Sequence, residues 1–131
     1  MAVNKSVYFK RLNKWADALV SRKYKQGKNK LKTEDGEFCC LGVACDLSGL
    51  GEWTSKKGLN RYGKSSAMAP TEAVVNYFGF SDTLGMDVVA TVFKKTSYEH
   101  LAEMNDTGKS FGYIAKIIRK YADIKYGPKS K

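Results

Sequence analysis

Phe38-Cys39-Cys40-Leu41-Gly42-Val43-Ala44-Cys45-Asp46-Leu47 decides how this chain folds. Cys40, Val43, Ala44 and Leu47 recur at the spacing of a helix in an otherwise apolar stretch, so the segment reads as a buried helix. Gly49 and Gly51 follow where a helix needs a C-terminal stop. Asp46 stands near the end of this apolar helix, and it is expected to cap a neighbouring backbone or pair with a lysine.

Upstream, Leu12, Trp15, Ala16, Leu19 and Val20 fall at i, i+3, i+4, i+7 and i+8, the stripe of an amphipathic helix over residues 6–22 that Asn4 or Ser6 can cap. Between Tyr24 and Phe38 the chain is polar and basic. There Asp35-Gly36 separates short runs at Lys30 to Thr33 and Glu37-Phe38, which predicts a small hairpin. Downstream, residues 51–66 mix Gly, Lys, Ser, Asn and Arg around Trp53, Leu59 and Tyr62, the pattern of a long loop or weak hairpin. Loops of that length inside compact domains usually carry function.

Pro70 suits a first helical turn, Val74, Val75, Tyr77 and Phe78 supply its apolar surface, and Gly79 suits its end. The β-branched run Val88-Val89-Ala90-Thr91-Val92-Phe93 predicts a strand. Thr96 with Glu99 three residues later forms a capping box for a short helix through Met104. Asn105 to Lys109 then turn the chain, Ser110 caps, and Phe111, Ile114, Ala115, Ile117, Ile118 and Tyr121 build a final amphipathic helix. The expected architecture is a small α+β domain over residues 1–124, mostly helical with short β-hairpins, followed by a basic disordered tail over 125–131. Helices and strands do not alternate as they do in a nucleotide-binding parallel sheet.

A chain of 131 residues fits one domain and holds a core without staples. Its start is charged and amphipathic and no apolar run is long enough to span a bilayer, so the expectation is a soluble protein of the cytoplasm with no membrane partner. Three cysteines, two of them adjacent, make a poor disulfide framework and fit reduced thiols. Twenty-three Lys and Arg against 13 Asp and Glu give a net charge of +10, which favours nucleic acid, anionic nucleotides or acidic proteins as partners.

Two segments taken together resemble a family. Phe38-Cys39-Cys40-Leu41-Gly42-Val43 and Met104-Asn105-Asp106-Thr107-Gly108-Lys109-Ser110-Phe111-Gly112-Tyr113-Ile114-Ala115 are similar to a pair of motifs in a group of small bacteriophage and prophage proteins. In that group an aromatic-Cys-Cys-Leu-Gly-Val segment precedes a Leu-Asn-Asp-x-Gly-x-x-Phe-x-x-Ile-Ala segment, and Met104 here replaces the usual Leu. The likeness extends to Trp15, Tyr24 and Pro70 and touches most of residues 12–118. It implies a setting, the cytoplasm of an infected bacterium, without implying a chemistry.

Gly58-Leu59-Asn60-Arg61-Tyr62-Gly63-Lys64-Ser65 fits the letters of a phosphate-binding loop. The mechanism needs a buried strand before the loop and a helix directly after it, and neither flank supplies one, so the match reads as chance in a Gly- and Lys-rich loop. Asn105-Asp106 reads as turn chemistry, with Gly108 and Ser110 completing the turn and cap. Cys39, Cys40, Cys45 and His100 lack metal-knuckle spacing, and adjacent cysteines point about 100° apart on a helix, so core thiols are expected and no metal or other cofactor is invoked. A Cys–His nucleophile pair lacks an orienting third group.

The remaining signal is basic. Lys23, Lys25, Lys28, Lys30 and Lys32 load the first hairpin, and Lys56, Lys57, Arg61 and Lys64 load the second loop, interleaved with Tyr24, Leu31, Trp53 and Tyr62. That arrangement suits phosphate contact with stacking. Lysine outnumbers arginine and offers a point charge rather than a fork, which disfavours sequence-specific base reading. The expected function is binding rather than catalysis. The partner is phosphate-rich, a nucleic acid or a nucleotide signal, held by Lys28, Lys30, Lys32, Lys56, Lys57, Arg61 and Lys64 with Trp53 and Tyr62 as stacking surfaces, in counter-defence or host takeover. The alternative is an inhibitor or modifier that docks on an acidic host protein, which calls for an apolar patch within the basic face.

Overall fold

The computed structural model describes residues 4–94 and 99–128. Six helices and one hairpin follow in the order α1 (Lys5–Val20), α2 (Cys40–Ser48), β1 (Trp53–Lys56), β2 (Leu59–Tyr62), α3 (Glu72–Phe78), α4 (Met86–Phe93), α5 (Leu101–Asp106) and α6 (Phe111–Tyr126). The protein is a small, mostly helical α+β domain, and none of its described helices is long and apolar enough to cross a membrane.

The Cys-Cys segment forms the centre. Cys39 caps α2, its sulfur accepting the Gly42 N–H at 3.4 Å, and Gly49 ends the helix in the left-handed conformation. Cys40, Leu41, Val43, Ala44 and Cys45 are all fully buried. Gly42 is obligatory here, because a Cβ would stand 1.8 Å from the Leu31 carbonyl oxygen, so the backbone of the preceding loop lies directly against α2. Trp15 of α1 donates its indole N–H to the Cys40 carbonyl at 2.9 Å and packs its ring on Phe78 and Phe80.

The two long helices brace this centre. Asp17 bonds Arg119 at 2.7 Å near one end and Tyr8 packs on Tyr126 near the other, so α1 and α6 run antiparallel. Their apolar stripes, Leu12, Trp15, Ala16 and Leu19 on one and Ile114, Ile117, Ile118 and Tyr121 on the other, are buried as the periodicity requires, whereas Val20, expected in the first stripe, is exposed at the end of α1. Asn4 caps α1 through its side chain and Ser110 caps α6 by accepting the Tyr113 N–H.

Several expectations change. Residues 88–93 form helix α4, not a strand. The Asp82 carboxylate accepts the N–H groups of Leu84, Met86 and Asp87 and so starts the helix, while Val88, Val89 and Val92 turn toward the core at helical spacing. The first hairpin is narrower than expected: Asp35-Gly36 does close a turn, with Gly36 N–H on the Thr33 carbonyl, but pairing shrinks to single bridges from Phe38 to Gln26 and Lys32. Pro70 lies ahead of α3 rather than in its first turn, and Thr71 caps the helix by accepting the Val74 N–H. Thr96 of the expected capping box lies outside the described residues, and α5 starts instead at Leu101 with His100 Nδ1 accepting the Glu103 N–H. Asn105 and Asp106 belong to α5, with Asn105 fully buried, so the turn begins at Thr107. Helix α6 runs to Tyr126, two residues into the stretch expected as a tail.

Candidate functional site

The two lysine-rich loops meet. The Asn60 amide of β2 donates to the carbonyls of Lys32 (3.3 Å) and Thr33 (3.0 Å), the Leu31 N–H donates to the Ala67 carbonyl at 2.9 Å, and the Glu34 carboxylate lies against Gly58 at the hairpin tip. The loop over residues 24–38 and the hairpin therefore form one module although the sequence separates them by a helix.

Aromatic rings fill the space between the two. Tyr24, Phe38, Trp53 and Tyr62 follow one another edge to face at centroid distances of 5.0, 5.8 and 5.0 Å. Asp46 holds this row by accepting the Tyr24 hydroxyl at 2.6 Å and the Trp53 indole N–H at 3.0 Å, which replaces the expected backbone cap or lysine pair. Burial, reinforced by the Asp46 carboxylate, keeps the Tyr24 hydroxyl protonated well above the usual phenol range.

This placement corrects part of the expected site. Tyr62 is 4% exposed and its hydroxyl oxygen accepts the Gly51 N–H at 2.9 Å, so its ring is withdrawn from any external ligand. Trp53 is half-buried, and the Lys32 ammonium stands 5.3 Å from the centroids of Trp53 and Phe38, occupying the aromatic faces from within the protein. In the register Trp53↔Tyr62, Thr54↔Arg61, Ser55↔Asn60 and Lys56↔Leu59, alternation along the strands puts Lys56 and Arg61 on the outer face, away from the aromatic side. Charge and stacking are thus divided between the two faces of the hairpin.

The cations remain accessible. Lys28, Lys56, Lys57, Arg61 and Lys64 are exposed and Lys30 is half-buried. Within the module the ion pair is Lys25 with Glu37 at 3.5 Å. Lys25, Lys28, Lys30, Lys32, Lys56, Lys57, Arg61 and Lys64 face Glu34, Asp35, Glu37 and Glu52, which leaves a surplus of four positive charges, eight less four. Lys57 and Gly58 both have positive φ, 54° and 80°, and form the two-residue turn that joins β1 to β2.

The phosphate-loop letters dissolve into this hairpin. Gly58 belongs to the turn, Leu59–Tyr62 to β2, and Ser65 accepts the Tyr62 N–H on its hydroxyl, so no helix follows the segment directly.

Asn105 and Asp106 hold the first loop in place. Asn105 Oδ1 accepts from the Gln26 amide at 2.9 Å and from Cys40 N–H at 3.2 Å, its Nδ2 donates to the Gly27 carbonyl at 2.7 Å, and Asp106 accepts the Asn29 N–H at 2.7 Å. Gln26 completes the link by accepting the Phe111 N–H and donating to the Lys109 carbonyl. The two sequence motifs therefore touch each other at Cys40 and Asn105. Sequence reasoning missed Gln26, whose partners lie about 80 residues on, each of them 79 to 85 positions away. The three thiols are buried, and burial raises all of them, Cys39 to about 11, which holds them protonated at neutral pH. Groups of three or more metal-ligating side chains are absent among the described residues.

The family model of a domain of unknown function, DUF8296, matches residues 9–122, and the chain belongs to that family. No curated protein and no solved structure matches it.

Proposed function

We propose that this member of the DUF8296 family is a binding protein for a phosphate-rich partner, a nucleic acid or an anionic nucleotide, held by the lysines of the joined loops. The supporting observation is the contact of Asn60 with Lys32 and Thr33, which assembles basic residues from two distant segments into one module with a surplus of charge. Lys57 stands at φ 54° in the turn, with its side chain exposed at the tip of the hairpin. Because Tyr62 is buried and Trp53 is covered by Lys32, attraction to the backbone dominates over stacking at this module. The motif likeness to phage and prophage proteins supplies the setting, counter-defence or takeover in an infected bacterial cytoplasm.

Titration of a fluorescent single-stranded oligonucleotide across a salt series tests this reading. With three or four phosphates engaged, log K falls against log salt with a slope of about −2 to −3, and charge reversal at Lys56 and Lys57 together makes it less steep by about 1.4. Absence of binding at low salt, or a slope that the double reversal leaves unchanged, refutes it.

One observation favours docking on an acidic host protein instead. A cleft of about 460 Å³ between the hairpin and α3 is lined by Leu50, Tyr62, Val74 and Lys64, and Leu50 is 52% exposed, an apolar patch bordering the basic module. A stoichiometric complex with an acidic protein that persists at high salt and is lost on Leu50→Asp distinguishes this second reading.

A further inference from the structure

The exposed aromatic side chains of the described residues converge away from the hairpin. Phe93, at the end of α4, and Tyr113, in the first turn of α6, are 42% and 40% exposed and line one cleft of about 310 Å³. Met104 contributes apolar surface, Glu99, Glu103 and Thr107 contribute acceptors, and Lys109 contributes an ammonium. Rings left in water at a concave site are costly unless something covers them, and this volume suits a single nucleotide.

We propose that this cleft takes one nucleobase of a phosphate-bearing ligand, stacked on Tyr113 and Phe93. Glu103 is placed to accept an exocyclic amino or ring N–H of the base, since a carboxylate is an acceptor of base amino groups. The Lys109 ammonium stands 5.0 Å from the Tyr113 ring centroid and supplies a cation beside the cleft for the ligand's phosphate. The Lys109 carbonyl is bonded to Gln26 and Asp106 to Asn29, so the cleft abuts the loop that carries Lys28. A longer ligand can place one base in the cleft and continue its backbone along the lysines. The inference rests on the phosphate-rich ligand proposed above but locates the base at a different place.

The test uses the full chain, AMP, GMP, CMP and UMP in turn, inorganic phosphate as the control, and two readouts: calorimetry and the aromatic ¹H–¹³C resonances of Phe93 and Tyr113. At least one nucleotide shifts both rings and phosphate does not. Tyr113→Leu weakens that nucleotide at least tenfold, as expected for loss of one stacked base. Glu103→Gln alters the order of preference among the four. Tyr113 is exposed, so the variant is checked for an unchanged melting temperature, and Phe93→Leu provides a second removal of ring surface. Unmoved rings at millimolar nucleotide, equal binding by Tyr113→Leu and the parent, or equal response to phosphate each overturn the proposal. Double reversal of Lys56 and Lys57 separates the two readings, because it weakens oligonucleotide binding through the loops and flattens its salt slope while leaving mononucleotide binding in the cleft unchanged. Oligonucleotide binding with unmoved rings overturns the cleft alone.

Discussion

Asn105 occupies both sides of its amide with partners that have no substitute. Truncation to Ala leaves the Cys40 N–H and the Gly27 carbonyl without their bonds in a buried place, so Asn105→Ala is expected to destabilise the fold by about 3 kcal/mol in urea denaturation. Asn105→Asp keeps the acceptor but loses the donor to Gly27 and buries a charge, and is expected to be no better tolerated. The cysteines make a pH prediction. Burial raises the Cys39 thiol from its ordinary value of 9.0 to about 11 in the fold, so between those values the unfolded chain loses its proton while the native one keeps it. The native state then binds more protons than the unfolded state, and stability falls as pH rises from 9 to 11 and is unaffected by this thiol below 9. Cys40, Cys45, Tyr24 and Tyr121 shift in the same direction and steepen the fall. Denaturation midpoints at pH 8, 9, 10 and 11 measure it. Asp46 shows what sequence leaves out at this scale: its polarity in an apolar helix was visible, but Tyr24 and Trp53 as donors follow only from how two loops fold over it.

Elements with a strong period were legible. The stripes of α1 and α6, with the exception of the exposed Val20, the Gly49 stop of α2 and the Ser110 cap are the observed ones, because local spacing determines them. Helix α4 was misread since β-branched propensity is weak beside context. The signal that would have corrected it is the capping Asp82 ahead of Val88, Val89 and Val92 at helical spacing. Within the hairpin, the sequence exposed Trp53 and Tyr62 as aromatics among lysines, but burial of one and coverage of the other depend on register and on Phe38, which no local pattern contains. The turn offers a test of the balance between stability and function. Lys57→Asn places a residue suited to positive φ beside Gly58 and is expected to raise stability by about 0.5 kcal/mol, while weakening oligonucleotide binding by removal of one charge. A variant that is stabilised and binds unchanged removes Lys57 from the site.

On the scale of the whole molecule, the net charge of +10 is distributed rather than confined to one place. Lys10, Lys14, Lys116 and Lys120 on α1 and α6 are exposed as well, although Arg119 is engaged by Asp17. Total charge therefore predicts general attraction to polyanions, and only the joined loops with the adjoining cleft predict a location. Reversal of Lys10 and Lys14 together lowers the net charge as much as reversal of Lys56 and Lys57, so comparing the two separates place from sum. The loop pair is expected to lose at least fivefold more affinity than the helix pair at moderate salt. The most direct measurement is a ¹⁵N–¹H map of the full chain titrated with a short single-stranded oligonucleotide. The account predicts amide shifts over Lys28–Lys32 and Lys56–Lys64, with those of α1 still; shifts confined to α1 and α6, or none at low salt, contradict it.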